Sequence, residues 1–207
     1  RAAMIPEVAS SAAFDGWTDQ AIANAAAIRG VDPDLVRLAC GTSATDMIAA
    51  WFAHIDDAMA ARYPAETLAA MKIRERITAL IEARIESVAP DREALRRALA
   101  ILAMPQNVPL ATKLAWRSAD RMWRLAGDTA SDFNHYTKRM TLAAVYTSTI
   151  AVFLNDESDG LAETRAFLAR RIDNVMQVER FKASWRKRTE HRPSLARFVG
   201  RLRYPPR

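Results

Sequence analysis

The sequence predicts an all-α fold, and three observations lead to that prediction. Hydrophobic residues make up 50% of the chain while glycine occurs only 6 times. Alanine-rich runs with scattered Leu, Met, Arg and Glu favour helices over strands. No stretch alternates apolar and polar residues as a half-buried strand does. At 207 residues, we expect one domain with a tail, in which residues 1–63 and 64–180 form the domain and 181–207 the tail.

Helix-stop signals divide the first part into several helices. We expect helices over residues 1–13, 18–29, 32–40 and 43–63, with Gly30 and Gly41 between the last three. Helix, glycine-containing turn and short helix is the pattern of a helix-turn-helix. Residues 1–63 hold eight acids against four arginines, however, a net charge of −4. Because phosphate neutralisation supplies most non-specific DNA affinity, the charge argues against a DNA-binding role.

Three further helices are expected before the centre of the chain. An apolar stripe predicts a helix over residues 65–88, which Pro90 ends, and Asp91 caps a helix through Ala103. We expect Pro105 and Pro109 to fix a short non-helical crossing before a helix over 110–126.

The stretch from 122 to 155 is expected to organise the fold. Ser131 or Asp132 is a suitable N-cap, and residues 140–155 contain no charged side chain. A helix without a charged face is expected to be buried. The run is short of the roughly 20 apolar residues that a membrane span needs, so we predict a central helix within the protein. We expect it to line a lipid-sized cavity, with walls drawn from Leu142, Val145, Tyr146, Thr149 and Phe153.

The charge of the C-terminal tail differs from that of the body. The net charge of the whole chain is +6, and residues 180–207 alone carry +9. Residues 1–179 therefore carry a net charge of −3. Over 194–204, apolar residues recur at helical spacing between arginines, which is typical of a helix lying on an anionic membrane. The expected membrane-binding residues are Leu195, Arg197, Phe198, Val199, Arg201 and Leu202. There are two alternatives. The apolar residues of the tail could pack on the protein's own core, or its arginines could bind nucleic acid.

No pattern in the sequence indicates catalysis. Nucleophile elbow, phosphate-binding and dinucleotide-binding motifs are missing, as are paired Glu-x-x-His turns of a di-iron bundle. Asp132 and His135 lie one turn apart and could orient a proton, or Asp132 could simply cap the helix. His54 beside Asp56 and Asp57 could bind a metal or lie on a solvated face. We therefore expect no enzyme, no cofactor and no metal.

Several motifs resemble the Coq-nine family of ubiquinone-biosynthesis accessory proteins. They are GD-x-x-x-DFN-x-YT-[KR]-R at 127–139 with the following LAA-x-Y run, ALAIL at 98–102 leading into MPQNVP, and DRMW at 120–123. The resemblance implies a TetR-repressor-like helical domain with an N-terminal helix-turn-helix and a C-terminal amphipathic helix. It also implies a non-catalytic protein that binds an isoprenoid quinone precursor or phospholipid and presents the quinone to a di-iron demethoxyubiquinone hydroxylase.

The family's hydroxylase-binding surface carries over to five positions of this sequence. They are Met122, Asp132, His135, Tyr136 and Arg139, of which His135 departs from the tryptophan of eukaryotic relatives. The family also implies a homodimer through the last two long helices. The expected location is cytoplasmic and peripheral on the inner membrane of a bacterium, or the mitochondrial matrix side in a eukaryote. The single cysteine, Cys40, fits such a reducing compartment and is expected to be buried. The competing class is a ligand-responsive DNA repressor of the same fold.

Overall fold

The computed structural model describes residues 4–129 and 133–190, with side chains over 4–129 and 135–177. Strands are absent from these residues, and the expected all-α class is confirmed. The chain divides into two compact units, Arg1–Ala169 and Arg170–Arg207. The helices are α1 Ile5–Asp15, α2 Asp19–Arg29, α3 Pro33–Cys40, α4 Ala44–Arg62, α5 Ala65–Ala70, α6 Ile73–Val88, α7 Arg92–Leu102, α8 Val108–Leu125, α9 Phe133–Phe153 and α10 Ala162–Glu190. Short 3₁₀ helices occupy Pro105–Asn107 and Asp159–Leu161.

Two of the expected helix starts are held by side-chain caps. Asp32 accepts the amide of Asp34 at 2.8 Å and begins α3. At α4, Ser43 accepts the amide of Asp46 at 3.1 Å while the Asp46 carboxylate accepts the Ser43 amide at 3.4 Å, which is a capping box. Thr18 stands at the start of α2, but its hydroxyl donates to the Asp15 carbonyl instead of capping. Cap positions can thus be found from residue type, whereas the bonds cannot.

The single helix expected over residues 65–88 is wrong, because it divides at Met71 into α5 and α6. Met71 is extended, and the Glu75 carboxylate accepts the amide of Lys72 at 2.9 Å to begin α6. The guanidinium of Arg76 donates to the carbonyls of Ala69 and Met71 at the end of α5, both at 2.9 Å. It also donates to the Ala126 carbonyl just after α8, at 2.8 Å. One arginine therefore satisfies carbonyls that the helix break leaves unpaired.

The crossing between α7 and α8 is shorter than expected. Pro105 opens a 3₁₀ turn, but Pro109 lies in the first turn of α8, which begins at Val108. Proline is tolerated there because amides in the first turn have no partner inside the helix. The Asn107 side chain donates to the Ile101 carbonyl at 2.8 Å and holds the turn against the end of α7.

Helix α4, and not α9, lies at the centre of the first unit. It packs against α1, α3, α6, α7 and α8, and its Trp51 contacts Trp17 with ring centroids 5.3 Å apart. Helix α9 packs mainly on α8 and α6. One α9 face is exposed, formed by Met140, Thr141, Ala144, Thr147 and Ala151. The expectation of a fully buried central helix was wrong because alanine and threonine can face water without any charge.

The turn from α9 to α10 is fixed by one buried carboxylate. The Asp156 carboxylate accepts hydrogen bonds from the hydroxyls of Ser158 at 2.5 Å and Thr164 at 2.6 Å. It also accepts hydrogen bonds from the backbone amides of Ser158 at 2.9 Å and Thr164 at 2.8 Å. Burial acts to raise the pKa of this carboxyl, but the hydrogen bonds outweigh it and hold the pKa well below its usual range. The guanidinium of Arg92 donates to the Asp156 carbonyl at 2.6 Å and ties the turn to α7.

Candidate functional site

Four charged residues hold the turn between α8 and α9. The Arg139 guanidinium on α9 donates to Asp120 on α8 at 2.6 Å and to Asp128 in the turn at 3.1 Å. Lys138 donates to the other oxygen of Asp128 at 2.6 Å. Arg139 and Asp128 are both almost completely buried. We name Asp120, Asp128, Lys138 and Arg139 the charge cluster.

The geometry of the turn explains the GD and [KR]-R parts of the motif at 127–139. Gly127 has φ +88°, a conformation that side-chain-bearing residues rarely adopt. Burial acts to raise the pKa of Asp128, but bonds from Lys138 and Arg139 prevail and lower it. The carboxylate therefore stays charged and couples the turn to the first part of α9.

Three rings lie together beside the charge cluster, of which Tyr136 is exposed and Trp116 and His135 are partly buried. Trp116 on α8 lies 5.9 Å from Tyr136 and 6.4 Å from His135 on α9, and the two α9 rings are 5.2 Å apart. Tyr136 is 58% exposed, and Met140, one turn further along α9, is 65% exposed. We name Trp116, His135, Tyr136 and Met140 the aromatic patch. Large apolar side chains exposed together are typical of an interaction surface.

The five expected partner-binding residues separate into three groups. His135 and Tyr136 lie in the aromatic patch. Met122 is fully buried and Arg139 is buried in the charge cluster, so neither offers a side chain to a partner, which corrects their expected place on the surface. Asp132 lies outside the described residues, and so does its expected pairing with His135. Sequence reasoning missed Trp116, because nothing in its neighbourhood distinguishes it from a core aromatic.

An apolar pocket lies between α7, α8 and α9, with Phe52 of α4 also in its wall. Its volume is about 310 Å³, and it is partly open to solvent. It is lined by Phe52, Leu95, Leu99, Leu102, Ala103, Ala111, Leu114, Ala115, Ser118, Tyr146, Thr147, Ile150, Ala151 and Leu154. None of these side chains carries a charge at neutral pH, so the pocket suits an uncharged apolar ligand.

Only Tyr146 among the expected lipid-binding residues lines this pocket. The other four are buried and do not line this pocket, and their lipid-binding role stays a prediction: Leu142, Val145, Thr149 and Phe153. The Thr149 hydroxyl donates to the Val145 carbonyl at 2.7 Å, and the Phe153 ring packs under Arg92. The sequence shows that α9 is apolar, but a helix apolar on several faces does not reveal which one adjoins an empty space.

A buried ion pair lies behind the pocket. Arg84 on α6 and Asp56 on α4 are paired, both buried, and Arg117 also reaches Asp56 at 3.2 Å. The Arg84 guanidinium lies 4.9 Å from the centre of the Tyr146 ring. The solvated face expected for Asp56 is therefore wrong, while Asp57 is exposed and pairs with Arg121 at 3.1 Å. Over the described residues, no cluster of His, Cys, Asp and Glu is arranged to hold a metal.

The helix-turn-helix has its arginines paired with its own acids. Arg29 pairs with Glu7 at 2.5 Å, and Arg37 pairs with Asp34 at 2.8 Å and Asp19 at 3.3 Å. Arg62, at the end of α4, pairs with Glu86 at 2.6 Å. Cys40 is buried, as expected. The described part of this segment therefore presents little uncompensated positive charge.

The expected membrane-binding residues of the tail, 195–202, lie outside the described residues. Their amphipathic helix remains a prediction. Within the described part of the chain, no helix combines the length and apolarity that crossing a bilayer requires.

Comparison with solved structures identifies the fold. The structure is similar to a TetR transcriptional regulator from Nitrosomonas europaea, with a TM-score of 0.66 over 83% of this chain and 94% of that one. Sequence identity is 23%, so the likeness concerns the fold alone. The expected TetR-like fold is confirmed.

Comparison of sequences points to one family. A family model described as COQ9 matches residues 108–179. The mitochondrial ubiquinone biosynthesis protein COQ9 of Rattus norvegicus is 40% identical over 98 residues, which are 47% of this chain and 31% of the rat protein. The human protein is 39% identical over the same shares. A probable ubiquinone biosynthesis protein of Dictyostelium discoideum is 27% identical over 81% of this chain and 56% of its own length.

The matched region contains both candidate sites. This chain spans about a third of the length of its mammalian relatives. Residues 108–179 include the charge cluster, the aromatic patch and most of the pocket wall. Residues 108–179 therefore match the COQ9 family model, and the resemblance seen in the 127–139 motif is confirmed.

Proposed function

We propose that this protein is a non-catalytic accessory protein of ubiquinone biosynthesis that binds an isoprenoid quinone intermediate and presents it to a di-iron demethoxyubiquinone hydroxylase. The observation that carries the proposal is an uncharged pocket whose α8 and α9 walls lie inside the COQ9-matched segment. A polyprenyl chain is nearly insoluble in water, so its transfer to an enzyme requires a protein with an apolar pocket.

The pocket is large enough for part of such a ligand. Its volume of about 310 Å³ is near the lower limit of ligand pockets, which begin at about 300 Å³. A ring with its first isoprene unit is of suitable size, and the rest of the chain would leave through the open side. A phospholipid acyl chain is the other ligand of suitable shape.

Two alanines on α9 offer a matched test of lipid binding. Ala151 lines the pocket, whereas Ala144 is also exposed on the same helix but lies outside the pocket. Ala151→Trp should obstruct the pocket and Ala144→Trp should not. Native mass spectrometry followed by lipid extraction is expected to find quinone or phospholipid in the wild type and the Ala144 variant, and less in the Ala151 variant. Lipid-free wild-type protein, or equal lipid in both variants, would contradict the proposal.

The aromatic patch is proposed as the hydroxylase-binding surface. Tyr and Trp are enriched among binding hot spots, and truncating one such anchor commonly weakens binding by about 2 kcal/mol or more. Tyr136→Ala and Trp116→Ala should reduce pull-down of the hydroxylase from the same organism and cause the demethoxy intermediate to accumulate. Their melting temperatures should remain close to that of the wild type.

Met122→Ala is the informative contrast. Because Met122 is fully buried in α8, this change should lower stability by about 2 to 5 kcal/mol. Any loss of hydroxylase binding should then follow the loss of folded protein. Folded Tyr136 and Trp116 variants that still bind the hydroxylase would remove the patch from consideration.

We also propose a peripheral membrane location, attachment through the tail, and a homodimer. The lack of a spanning helix in the described residues is compatible with this location. The competing function, a DNA-binding regulator, is not favoured, because the described arginines of the helix-turn-helix are paired with carboxylates. A mobility-shift assay at low salt is expected to show no retardation of DNA, and salt-sensitive binding would favour the regulator.

A further inference from the structure

One polar atom in the pocket wall has no hydrogen-bond partner. Ser118, in the middle of α8, is 0% exposed, and its hydroxyl bonds to nothing in the described residues. An unsatisfied buried hydroxyl destabilises the folded state, and such groups are few in native proteins. The position of this one beside an empty space calls for a physical explanation.

The other hydroxyls on these helices show that the missing bond is specific to Ser118. A serine or threonine inside a helix commonly donates to the carbonyl one turn earlier. In this protein Thr112 donates to Val108 at 2.9 Å, Thr147 to Ala143 at 2.8 Å and Ser87 to Ala83 at 2.8 Å. Ser118 makes no such bond to Leu114, so its hydroxyl is available to another molecule.

The other two hydroxyl-bearing residues of the pocket wall differ from Ser118. The Thr147 hydroxyl bonds to its own helix, and the Tyr146 ring lies against the buried Arg84 guanidinium, 4.9 Å from its centre. All other lining residues are Ala, Leu, Ile and Phe. Among the residues that line the pocket, Ser118 therefore contributes the one buried side-chain polar atom that has no partner within the described residues.

The surroundings limit the chemistry of that oxygen. No cationic side chain lines the pocket, so a carboxylate or phosphate would be buried without compensation. A neutral carbonyl can accept the serine proton without this penalty. We propose that Ser118 is the hydrogen-bond donor to a neutral carbonyl oxygen of the bound apolar ligand, either a quinone carbonyl or an acyl-ester carbonyl; this inference rests on the proposed lipid-binding function.

The test compares Ser118→Ala with Thr112→Val. Both remove one hydroxyl from α8, but the Thr112 hydroxyl is satisfied by the backbone and lies outside the pocket wall. Isothermal titration calorimetry uses ubiquinone with one isoprene unit, prenylbenzene as the analogue without carbonyls, and diheptanoyl phosphatidylcholine below its micelle concentration. Ser118→Ala should weaken binding of the ubiquinone or of the phospholipid about tenfold, the change expected from one lost hydrogen bond, while Thr112→Val stays within about twofold. Prenylbenzene should bind all three proteins equally.

Which ligand responds identifies the source of the carbonyl. Weakening confined to ubiquinone assigns a quinone carbonyl, and weakening confined to the phospholipid assigns the ester. In the absence of ligand, Ser118→Ala should melt at the wild-type temperature or higher, because an unsatisfied hydroxyl has been removed. A clear fall in melting temperature would show that the hydroxyl is already bonded and would overturn the proposal.

The remaining outcomes separate this inference from the function it rests on. If wild type and Ser118→Ala bind both carbonyl ligands equally, the role of Ser118 is wrong while lipid binding stands. If the wild type binds none of the three ligands, the proposed function itself fails.

Discussion

Replacement of Arg139 by methionine provides a direct test of the charge cluster. The change keeps an unbranched side chain but removes the charge, the bond to Asp120 at 2.6 Å and the bond to Asp128 at 3.1 Å. Breaking a buried ion pair by removing one partner costs about 3 to 5 kcal/mol. Here Asp120 keeps Arg124 and Asp128 keeps Lys138, so we expect the lower end, about 3 kcal/mol.

Urea unfolding followed by circular dichroism measures this difference. With a denaturant slope of about 2 to 3 kcal/mol/M, a loss of about 3 kcal/mol should lower the urea midpoint by about 1 to 1.5 M at an unchanged slope. Arg124→Met is the matched control, since Arg124 pairs with the same Asp120 at 2.8 Å but is largely exposed. Its effect should not exceed about 0.5 kcal/mol, because exposed ion pairs contribute little.

The result also decides between two roles for Arg139. A structural role predicts the large loss of stability and, at a temperature where the variant is folded, near-normal hydroxylase binding. If Arg139→Met melts like the Arg124 control and fails to bind the hydroxylase, the cluster does not stabilise the fold as argued, and Arg139 contacts the partner after all.

Three further predictions concern the rest of the chain. The pKa of Asp156 is lowered in the folded state. Its contribution to the free energy of unfolding is therefore fully present above the unfolded pKa of about 3.9. That contribution declines as the pH falls through the lower pKa of the folded state. Asp156→Asn should reduce stability at pH 7 and flatten its fall below about pH 4, whereas parallel pH curves for variant and wild type would refute this. Ser43→Ala should lower the free energy of unfolding by about 1 kcal/mol, because it removes the capping box. Thr18→Ala should change the free energy of unfolding by less than about 0.5 kcal/mol, because the Thr18 side chain makes no cap bond. Equal effects of the two substitutions would show that the cap bond of Ser43 does not add to stability. Truncation at Pro193 should abolish binding to anionic vesicles without changing the melting temperature of the body. Vesicle binding that survives truncation, or a large loss of stability, would mean that the tail does not act as a membrane anchor.

The parts of the fold that could be predicted are those that short-range signals determine. Gly30, Asp32 and Pro33 place the boundary between α2 and α3 correctly, because each acts on the backbone within a few residues. The break at Met71 could not be predicted, because Arg76 stabilises it partly through the Ala126 carbonyl, fifty positions away. An apolar stripe continuous across the break gives no indication of it.

The sequence could predict which residues belong to the candidate site, but not which of their side chains are exposed and which are buried. The motif at 127–139 identified Tyr136 and Arg139 together, yet one is exposed and the other is buried between two carboxylates. Burial of an arginine depends on acids contributed by another helix and the turn, which periodicity does not report. A cavity beside α9 was expected, but most residues of the pocket wall were not, because an empty space is defined by which neighbouring side chains are short, here Ala103, Ala111 and Ala115.

The Arg76 bonds also have a consequence for the order of folding. Two of its three acceptors lie in its own neighbourhood, but the third becomes available only when α8 has docked against α6. Contacts distant in sequence form late because loop closure must come first. We therefore expect the junction of α5 and α6 to acquire its native bend after the rest of the α6–α8 contact, so that Arg76→Met speeds unfolding more than it slows folding.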